Sequence, residues 1–374
     1  MKAVRILLVL LVTFSLPSIT PAFAAEKTID QYYIDDVDYG HGAYEQLERF
    51  LYADIIDGYE ETGVYEEDGE EYEYTSILLK PENNITRAQF TKILVNAMHL
   101  TSGDIKKTFP DVNSSDWYYD YVQIASSRGI ITGKVDGTFK PNDKITRAQM
   151  AVMIYRAFNE TVDFSTSEKT FKDVTPKNFA YEAIVKIAGV GIVNGYGDEF
   201  KPSNFAKRSH AVLMIDRALH LESGTAEDEL AVIQTVNRNV TEELSLQSEQ
   251  PNREALEALY RETTVGYYLA YSLDNLRTID DPDYSSGSIT MEQVGEHSSS
   301  IVSVNKRFAK VKVDNLKVHV SMSEPDMDMS FEMTMDLSGT AYLKKTADGT
   351  WKIYNIVYDE ENFEDMLTEA IANN

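Results

Sequence analysis

The chain has 374 residues, a formal net charge of −26 and no cysteine. The absence of cysteine excludes disulfide bonds and thiolate metal sites, so packed hydrophobic cores must stabilise the fold. The acidic balance argues against nucleic acid as a partner, because phosphate binding requires a basic surface. At roughly 100 to 200 residues a domain, the length predicts two or three domains.

Residues 1–24 have the pattern of a secretory signal peptide. Lys2 and Arg5 precede an apolar run from Ile6 to Phe14, and residues 22–24, AFA, supply the small residues typical of a cleavage point. The apolar run is shorter than the roughly 20 residues of a membrane-spanning helix, and no later stretch is long enough. The pattern predicts an exported protein without a transmembrane segment.

Three anchors recur in the same order between residues 28 and 222. An acidic residue precedes valine, a glycine ends a turn 22 residues later, and a Lys-Pro step is followed by an arginine six residues after the proline. Such constant spacing indicates a repeated structural unit. The anchors are Asp36, Gly58, Pro81 and Arg87 in the first copy, Asp111, Gly133, Pro141 and Arg147 in the second, and Asp173, Gly195, Pro202 and Arg208 in the third.

Each copy is predicted to form a helix, a loop and a second helix. Apolar residues at spacings of three and four follow each arginine, as in Phe90, Ile93 and Leu94. One such helical hairpin cannot bury its own apolar face, so we expect the three to pack into one all-α domain. The copies are assigned to residues 28–100, 101–160 and 161–222.

The first copy carries an acidic insertion, DGYEETGVYEEDGEEYEY, from Asp57 to Tyr74. Dense like charge resists burial, which predicts a solvated acidic loop. A calcium site is the alternative, but the stretch lacks the ligand spacing of an EF-hand loop.

The stretch T-R-A-Q occurs at residues 86–89 and 146–149. Its Thr and Gln fit a capping box at a helix start. The arginine lies at the positive end of the helix dipole, which is unfavourable by roughly 0.3–1 kcal/mol unless an anion compensates. Free N–H groups at the helix start and a guanidinium could together hold one carboxylate. The alternatives are a salt bridge to Asp or Glu, or an arginine that points into water.

These copies resemble S-layer homology modules. The resemblance rests on the Asp-Val step, the aromatic residue six positions after the Asp (Trp117 and Phe179), the turn at 129–133, the G-x-F-K-P loop at 137–141 and I-T-R-A-Q. It covers about 190 residues. It implies a three-pronged, pseudo-threefold helical domain on a bacterial cell surface. It also implies non-covalent binding of secondary cell-wall polysaccharide, often through an acidic, pyruvylated sugar that the motif's arginine contacts in grooves between modules.

The resemblance supplies a set of candidate polysaccharide-binding residues. The Lys of each Lys-Pro step adds a second cation to each groove, and Trp117 either stacks on a sugar ring or packs between helices. The Asp anchors are interpreted as caps of their first helices. The candidates are Arg87, Arg147, Arg208, Lys80, Lys140, Lys201, Trp117 and Gly133.

The three copies differ in how closely they follow the family pattern. Gln89 and Gln149 replace the usual Glu but preserve the capping box. The third copy, KRSH at 207–210, loses the Thr cap, and the first has Gly42 where the aromatic residue is expected. The second copy is the most family-like, so the groove that uses Arg147 is the preferred site.

Residues 226–374 have a different pattern. Apolar periodicity predicts two helices separated near Pro251, and alternating residues then predict antiparallel strands, with a phase shift at Asp314-Asn315 and a hairpin turn at Asp348-Gly349. Methionines alternate from Met327 to Met335, which predicts the core face of a sheet. The order of elements is similar to the nuclear transport factor 2-like and cystatin-like α+β folds.

Two functions remain open. The first is a non-catalytic protein that its repeats dock to the cell wall and whose last domain serves interaction or ligand binding. The second is a wall-tethered polysaccharide or peptidoglycan hydrolase. The chain has no G-x-S-x-G, H-E-x-x-H or P-loop motif. We therefore expect no catalytic residues, cofactor or metal; the oligomeric state is left open.

Overall fold

The computed structural model describes residues 26–67, 70–103, 107–247, 252–279, 288–324 and 329–359. The predicted signal peptide lies outside these ranges. A 3₁₀ helix at Ile29–Tyr32 precedes the helices α1 (Tyr44–Tyr52), α2 (Arg87–Ala97), α3 (Tyr119–Ser127), α4 (Arg147–Phe158), α5 (Tyr181–Gly189), α6 (Arg208–His220), α7 (Ala226–Leu246), α8 (Arg253–Thr263) and α9 (Gly266–Ile279). The strands are β1 (Tyr59–Glu67), β2 (Glu70–Leu78), β3 (Ser288–Val294), β4 (Ser298–Val304), β5 (Phe308–Asp314), β6 (Lys317–Glu324), β7 (Met329–Asp336), β8 (Gly339–Lys345) and β9 (Trp351–Tyr358). Within the described ranges, no helix is both long enough and apolar enough to cross a membrane.

The three copies form the helical hairpins that the spacing predicts. A shorter helix (α1, α3 or α5) is followed by a loop and a longer helix (α2, α4 or α6) that begins at the motif's arginine. The capping boxes of Thr86 with Gln89 and of Thr146 with Gln149 are confirmed. At the start of α6, Lys207 makes no side-chain cap, as the third copy's sequence predicts.

The three loops before the longer helices are joined by a closed ring of backbone hydrogen bonds. The Ile145 amide donates to the Ile85 carbonyl (3.0 Å), the Ala206 amide to the Ile145 carbonyl (2.9 Å), and the Ile85 amide to the Ala206 carbonyl (3.0 Å). All three residues are buried. Buried backbone groups must be paired, and here the carbonyl of one copy is the hydrogen-bond partner of the buried amide of another.

The Asp anchors do not cap their first helices, so that interpretation is wrong. Helices α1, α3 and α5 begin at Tyr44, Tyr119 and Tyr181 and have no side-chain cap. Each Asp carboxylate instead accepts two backbone amides, at 2.7–2.8 Å, from the last two residues before the proline of its own copy. The carboxylate thereby fixes a loop whose lysine has a positive φ. The pairs are Asp36 with Leu79 and Lys80, Asp111 with Phe139 and Lys140, and Asp173 with Phe200 and Lys201.

The acidic insertion forms a β-hairpin, and the prediction of a loop is wrong. Strands β1 and β2 pair antiparallel from Tyr59 opposite Leu78 to Glu67 opposite Glu70. The acidic residues obscured a regular content of β-branched and aromatic residues, which favour strands even when exposed. The ring of Tyr74 covers Gly63 on the opposite strand. The N-terminal region is therefore helical with one inserted hairpin, and not all-α.

The described part of the C-terminal region contains three helices and two antiparallel sheets, with strand orders β3-β6-β7 and β4-β5-β8-β9. The second predicted helix is in fact two, because the chain turns at Gly266, which has a φ of 63°. The phase shift at Asp314-Asn315 is confirmed: it lies where the chain leaves β5 in one sheet and enters β6 in the other. The hairpin turn at Asp348-Gly349 is also confirmed, between β8 and β9.

The methionine face of β7 is more buried than the opposite face of the strand, but it does not form the centre of the core. Met327 lies outside the described residues, and Met333 and Met335 are only half-buried. The core of this region lies instead between α7 and the four-stranded sheet, where Val236 packs with Val311 and Ile353.

The helical and C-terminal regions share an interface that sequence periodicity does not reveal. Phe308 and Tyr354 belong to the hydrophobic cluster of the helical region. Arg307 forms a bidentate ion pair with Glu222, at 2.8 and 3.3 Å, and donates to the Met98 carbonyl at 2.6 Å. The Glu222 side chain is fully buried. The two regions are therefore fixed to each other by both apolar and charged contacts.

Gly133 combines a positive φ with a close contact. Its φ is 76°, and a Cβ there would lie 2.6 Å from the Phe109 ring, whereas Gly137 has a φ of 80° and open space around it. We predict that Gly133→Ala lowers the free energy of unfolding by at least about 1 kcal/mol more than Gly137→Ala, since the left-handed penalty is common to both. Urea denaturation measures the difference. Equal losses of unfolding free energy in the two variants would show that the contact with Phe109 does not contribute to stability.

Arg307→Ala leaves the buried carboxylate of Glu222 without a cation. We expect the free energy of unfolding to fall by about 3–5 kcal/mol, the usual cost of breaking a buried pair. The control, Arg277→Ala, removes an exposed ion pair to Asp274 and should cost about 0–1 kcal/mol. Urea denaturation of both variants tests this, and similar small losses would contradict a structural role for the buried pair.

Candidate functional site

The three motif arginines lie at equivalent positions between copies. Each begins its helix and extends onto the turn or loop of the next copy in the ring. Arg87 Nε donates to the Phe139 carbonyl (2.8 Å), Arg147 Nε to the Phe200 carbonyl (2.9 Å), and Arg208 Nη2 to the Asp57 carbonyl (2.7 Å). All three are at most 7% exposed. The constant position of the arginine in the repeat thus places each guanidinium group in an equivalent groove between two copies.

The helix-start amides beside these arginines are already occupied. The amide of each arginine donates to a loop carbonyl of the neighbouring copy at 2.9 Å, and the amide of the next residue donates to the carbonyl of that loop's proline at 3.0 Å. The expectation that free helix-start N–H groups would bind an anion is therefore wrong. An anion in these grooves therefore has the arginine side chains, and not these amides, as its donors. The carbonyl acceptors are Asp143 and Pro141 for α2, Asn204 and Pro202 for α4, and Asn83 and Pro81 for α6.

The guanidinium groups of the motif arginines lie against aromatic rings and not against carboxylates. The Arg87 guanidinium lies 4.8 Å from the centre of the Phe139 ring, and that of Arg147 lies 4.8 and 4.9 Å from Phe200 and Tyr196. Arg208 lies 5.3 Å from the Tyr59 ring. Such contacts favour a cation without neutralising its charge.

No carboxylate of a described residue forms an ion pair with these three guanidinium groups, although Arg49 and Arg307 each have one. Burial lowers the pKa of all three motif arginines. The Nε of Arg208 is buried and has no hydrogen-bond partner among the described residues. A buried cation is costly unless it is paired, so the grooves are suited to an external anion.

The motif lysines join the arginines across copies in two grooves. Lys80 lies 4.9 Å from the Tyr59 ring that also accepts Arg208, and Lys201 lies 4.7 Å from the Tyr196 ring that also accepts Arg147. Lys80 is in addition paired with Glu61 of the hairpin at 2.6 Å. Lys140 is half-buried next to Phe139, whose carbonyl accepts Arg87.

One groove collects residues from all three copies. A cavity of 320 Å³ is lined by Gln89 and Lys92 of α2, Trp117 of the second copy and Arg208 of the third. Trp117 is 56% exposed, and Lys92 Nζ lies 6.0 Å from its ring. The sequence favoured the groove of Arg147, but Trp117 lies with Arg208. An exposed indole beside an arginine can stack on a sugar ring while the cation binds an acid group.

Asp57 sets the charge of this groove. Its carboxylate is paired with Lys27 at 2.9 Å and with Lys92 at 2.7 Å. It is mostly buried, which opposes ionisation, but these two lysines outweigh burial and lower its pKa to about 2. Asp57 therefore pairs with Lys92. Arg208 forms no ion pair with a described carboxylate, although the charges of Asp57 and Asp36 partly offset the lowering of its pKa by burial.

Sequence reasoning missed Tyr59, Tyr196 and Lys92. A signal was present, because a tyrosine follows the turn glycine in the first and third copies but Lys134 follows it in the second. Gly133 lies in the corresponding turn of the second copy. Among the described residues, no group of three or more His, Asp or Glu side chains is placed to hold a metal ion.

Comparison with known proteins identifies the repeat. The sequence model of the S-layer homology domain matches residues 108–151 and 170–212, which lie in the second and third copies. Cell surface glycoprotein 1 of Acetivibrio thermocellus is 34% identical over 155 residues, covering 37% of this chain and 7% of that protein.

Two further relatives match over a similar length. A cellulosome-anchoring protein of Acetivibrio thermocellus is 33% identical over 154 residues, covering 39% of this chain and 34% of the relative. An endoglucanase of a Bacillus species is 29% identical over 174 residues, covering 42% of this chain and 18% of the relative. The chain thus spans about a third or less of the length of these relatives. The matches indicate a secreted, cell-surface protein, and this chain contains S-layer homology domains at residues 108–151 and 170–212.

Proposed function

We propose that this protein is a non-catalytic cell-surface protein that binds secondary cell-wall polysaccharide non-covalently through three S-layer homology modules in a pseudo-threefold arrangement. The observation that carries the proposal is the groove in which Arg208, Trp117 and Gln89 of three different copies meet. The first copy is counted as a module for two reasons. Its Ile85 belongs to the ring of backbone hydrogen bonds, and its Asp36 carboxylate fixes the loop before Pro81 as the equivalent Asp does in the other copies. The bound group is proposed to be an acidic, pyruvylated sugar.

The charge distribution supports an anionic ligand. The chain has 61 acidic and 35 basic residues, yet the motif arginines are held by carbonyls and aromatic rings and have no carboxylate partner among the described residues. A carboxylate would bind a guanidinium bidentately, and in a partly dehydrated groove such a bond is strong. Trp117 supplies an apolar surface for the ring of the sugar.

The C-terminal region is proposed to serve interaction or ligand binding, with a fold like the nuclear transport factor 2-like or cystatin-like proteins. Helices packed on an antiparallel sheet support that likeness. A glycosidase needs two carboxyl groups that face each other across the substrate. The described lining of the cavity in this region has one, Glu243. This composition supports a non-catalytic role over a wall-tethered hydrolase.

Sedimentation with purified cell-wall sacculi tests the proposed anchor. We expect the full protein to pellet and Arg208→Gln to weaken this binding at least about tenfold, since the variant loses the groove's cation but keeps a hydrogen-bonding side chain. The control Arg128→Gln alters an exposed arginine whose side chain donates to Thr101 and to no other described residue, and this variant should pellet normally. Arg147→Gln should have a smaller effect than Arg208→Gln, because its groove lacks Trp117.

Trp117→Ala provides a second variant, since an exposed side chain can be removed with little effect on folding. It should also weaken sedimentation. Sacculi stripped of the secondary polysaccharide should not retain the unaltered protein. Equal retention on stripped sacculi, or normal sedimentation of both groove variants, would show that the polymer is not bound in this groove.

A further inference from the structure

The C-terminal region encloses a cavity of 430 Å³ that the wall-anchoring function does not use. Its walls are mainly apolar: α7 contributes Val236, Val240 and Leu244, and the four-stranded sheet contributes Val313 and Ala341. Met335 of β7 also lines the cavity, and this explains why its side chain is only half-buried. The volume is within the usual range for small-molecule sites, roughly 300–1,000 Å³.

Helix α7 contributes three polar residues to the lining: Asn239, Glu243 and Gln247. The Tyr260 hydroxyl and the Gln247 amide both donate to Oε1 of Glu243, at 2.8 and 3.1 Å. No described residue donates to Oε2 of Glu243. The described lining contains no lysine, arginine or histidine. Within the described part of the chain, one oxygen of this carboxyl group is therefore open to a ligand.

A second acceptor lies one helical turn before Glu243. Asn239 is fully buried and also lines the cavity; its Nδ2 donates to Thr263 at 3.1 Å. Its Oδ1 has no hydrogen-bond partner among the described residues. Residues four apart share a helix face, so both acceptors belong to the same wall. Leaving a buried acceptor without a donor is unfavourable, which marks the position as one that a donor-bearing ligand could complete.

Four tyrosines line the same cavity: Tyr260, Tyr268, Tyr271 and Tyr358. Aromatic faces carry partial negative charge and attract cations. Burial raises the pKa of Glu243, because no cation among the described residues offsets the loss of water around its charge. An anionic ligand would be repelled, and a neutral one would leave the carboxylate uncompensated. A positively charged ligand would neutralise it.

We propose that this cavity binds a small organic cation, a primary ammonium on an apolar body, whose ammonium group pairs with Glu243. An ammonium has three donors, enough to reach both Glu243 and Asn239. The apolar body would fill the space between α7 and the sheets. This inference is independent of wall anchoring, since none of its residues belongs to the grooves between the modules.

Isothermal titration calorimetry at pH 7 with three ligands of one shape tests the proposal: 4-phenylbutylammonium, 4-phenylbutan-1-ol and 4-phenylbutyrate. We expect the full protein to bind the ammonium at least about tenfold more tightly than the alcohol and not to bind the carboxylate. No detectable ammonium binding, or equal affinity for ammonium and alcohol, would overturn the proposal. This comparison uses the unaltered protein and does not depend on any variant folding.

Glu243→Gln should lower the affinity for the ammonium at least about tenfold and leave that for the alcohol unchanged, because only the charge is removed. Glu242→Gln is the matched control: Glu242 is the preceding residue on α7, lies at the surface and pairs with Arg238. It should bind as the unaltered protein does. Ammonium binding that survives Glu243→Gln, or is lost equally in both variants, would contradict the proposed pairing.

Discussion

The ring of backbone hydrogen bonds among Ile85, Ile145 and Ala206 is the constraint on which the helical region depends. Three short helical hairpins have little apolar surface each, and a shared centre lets them bury it together. The ring also fixes the register in which each arginine meets the next copy. A shift of one residue in any loop would leave buried amides unpaired and move an arginine away from its groove.

The arginines have a structural role, which is separable from the ligand-binding role that we propose for them. Their guanidinium groups hold the turn or loop of the neighbouring copy through a carbonyl and an aromatic ring, which accounts for their burial. The same contacts leave the charge unneutralised, which is the property an anionic ligand requires. The helix dipole alone does not create the site, because the helix-start amides are used to join the copies. In the third copy the cap is lost but the arginine is kept, consistent with separate roles for cap and charge.

Local signals in the sequence predicted the local structure well. The capping boxes, the helices after each arginine and the turn at Asp348-Gly349 depend on residues a few positions apart. The Asp anchors were misassigned because their partners lie 27 to 44 residues later, as with Asp173 and Phe200 or Asp36 and Lys80. The hairpin of the first copy was missed because its charge concealed its strand-forming residues.

The candidate site was only partly predictable, because its residues come from different copies. The repeat register placed each arginine at a helix start, but Arg208 and Asp57 are 151 residues apart. No local pattern shows that Trp117 lies with Arg208 and not with Arg147. The C-terminal cavity was not predictable for the same reason, since α7, α9 and strands of both sheets surround it.

Hydrogen–deuterium exchange of single amides tests the ring most directly. If the ring holds the copies together, the amides of Ile85, Ile145 and Ala206 should exchange only on global unfolding, and at similar rates. The solvent-exposed hairpin β1–β2 should exchange much faster and provides an internal reference. Exchange of the three ring amides at the rate of the hairpin would contradict the account, as would fast exchange of one of them alone.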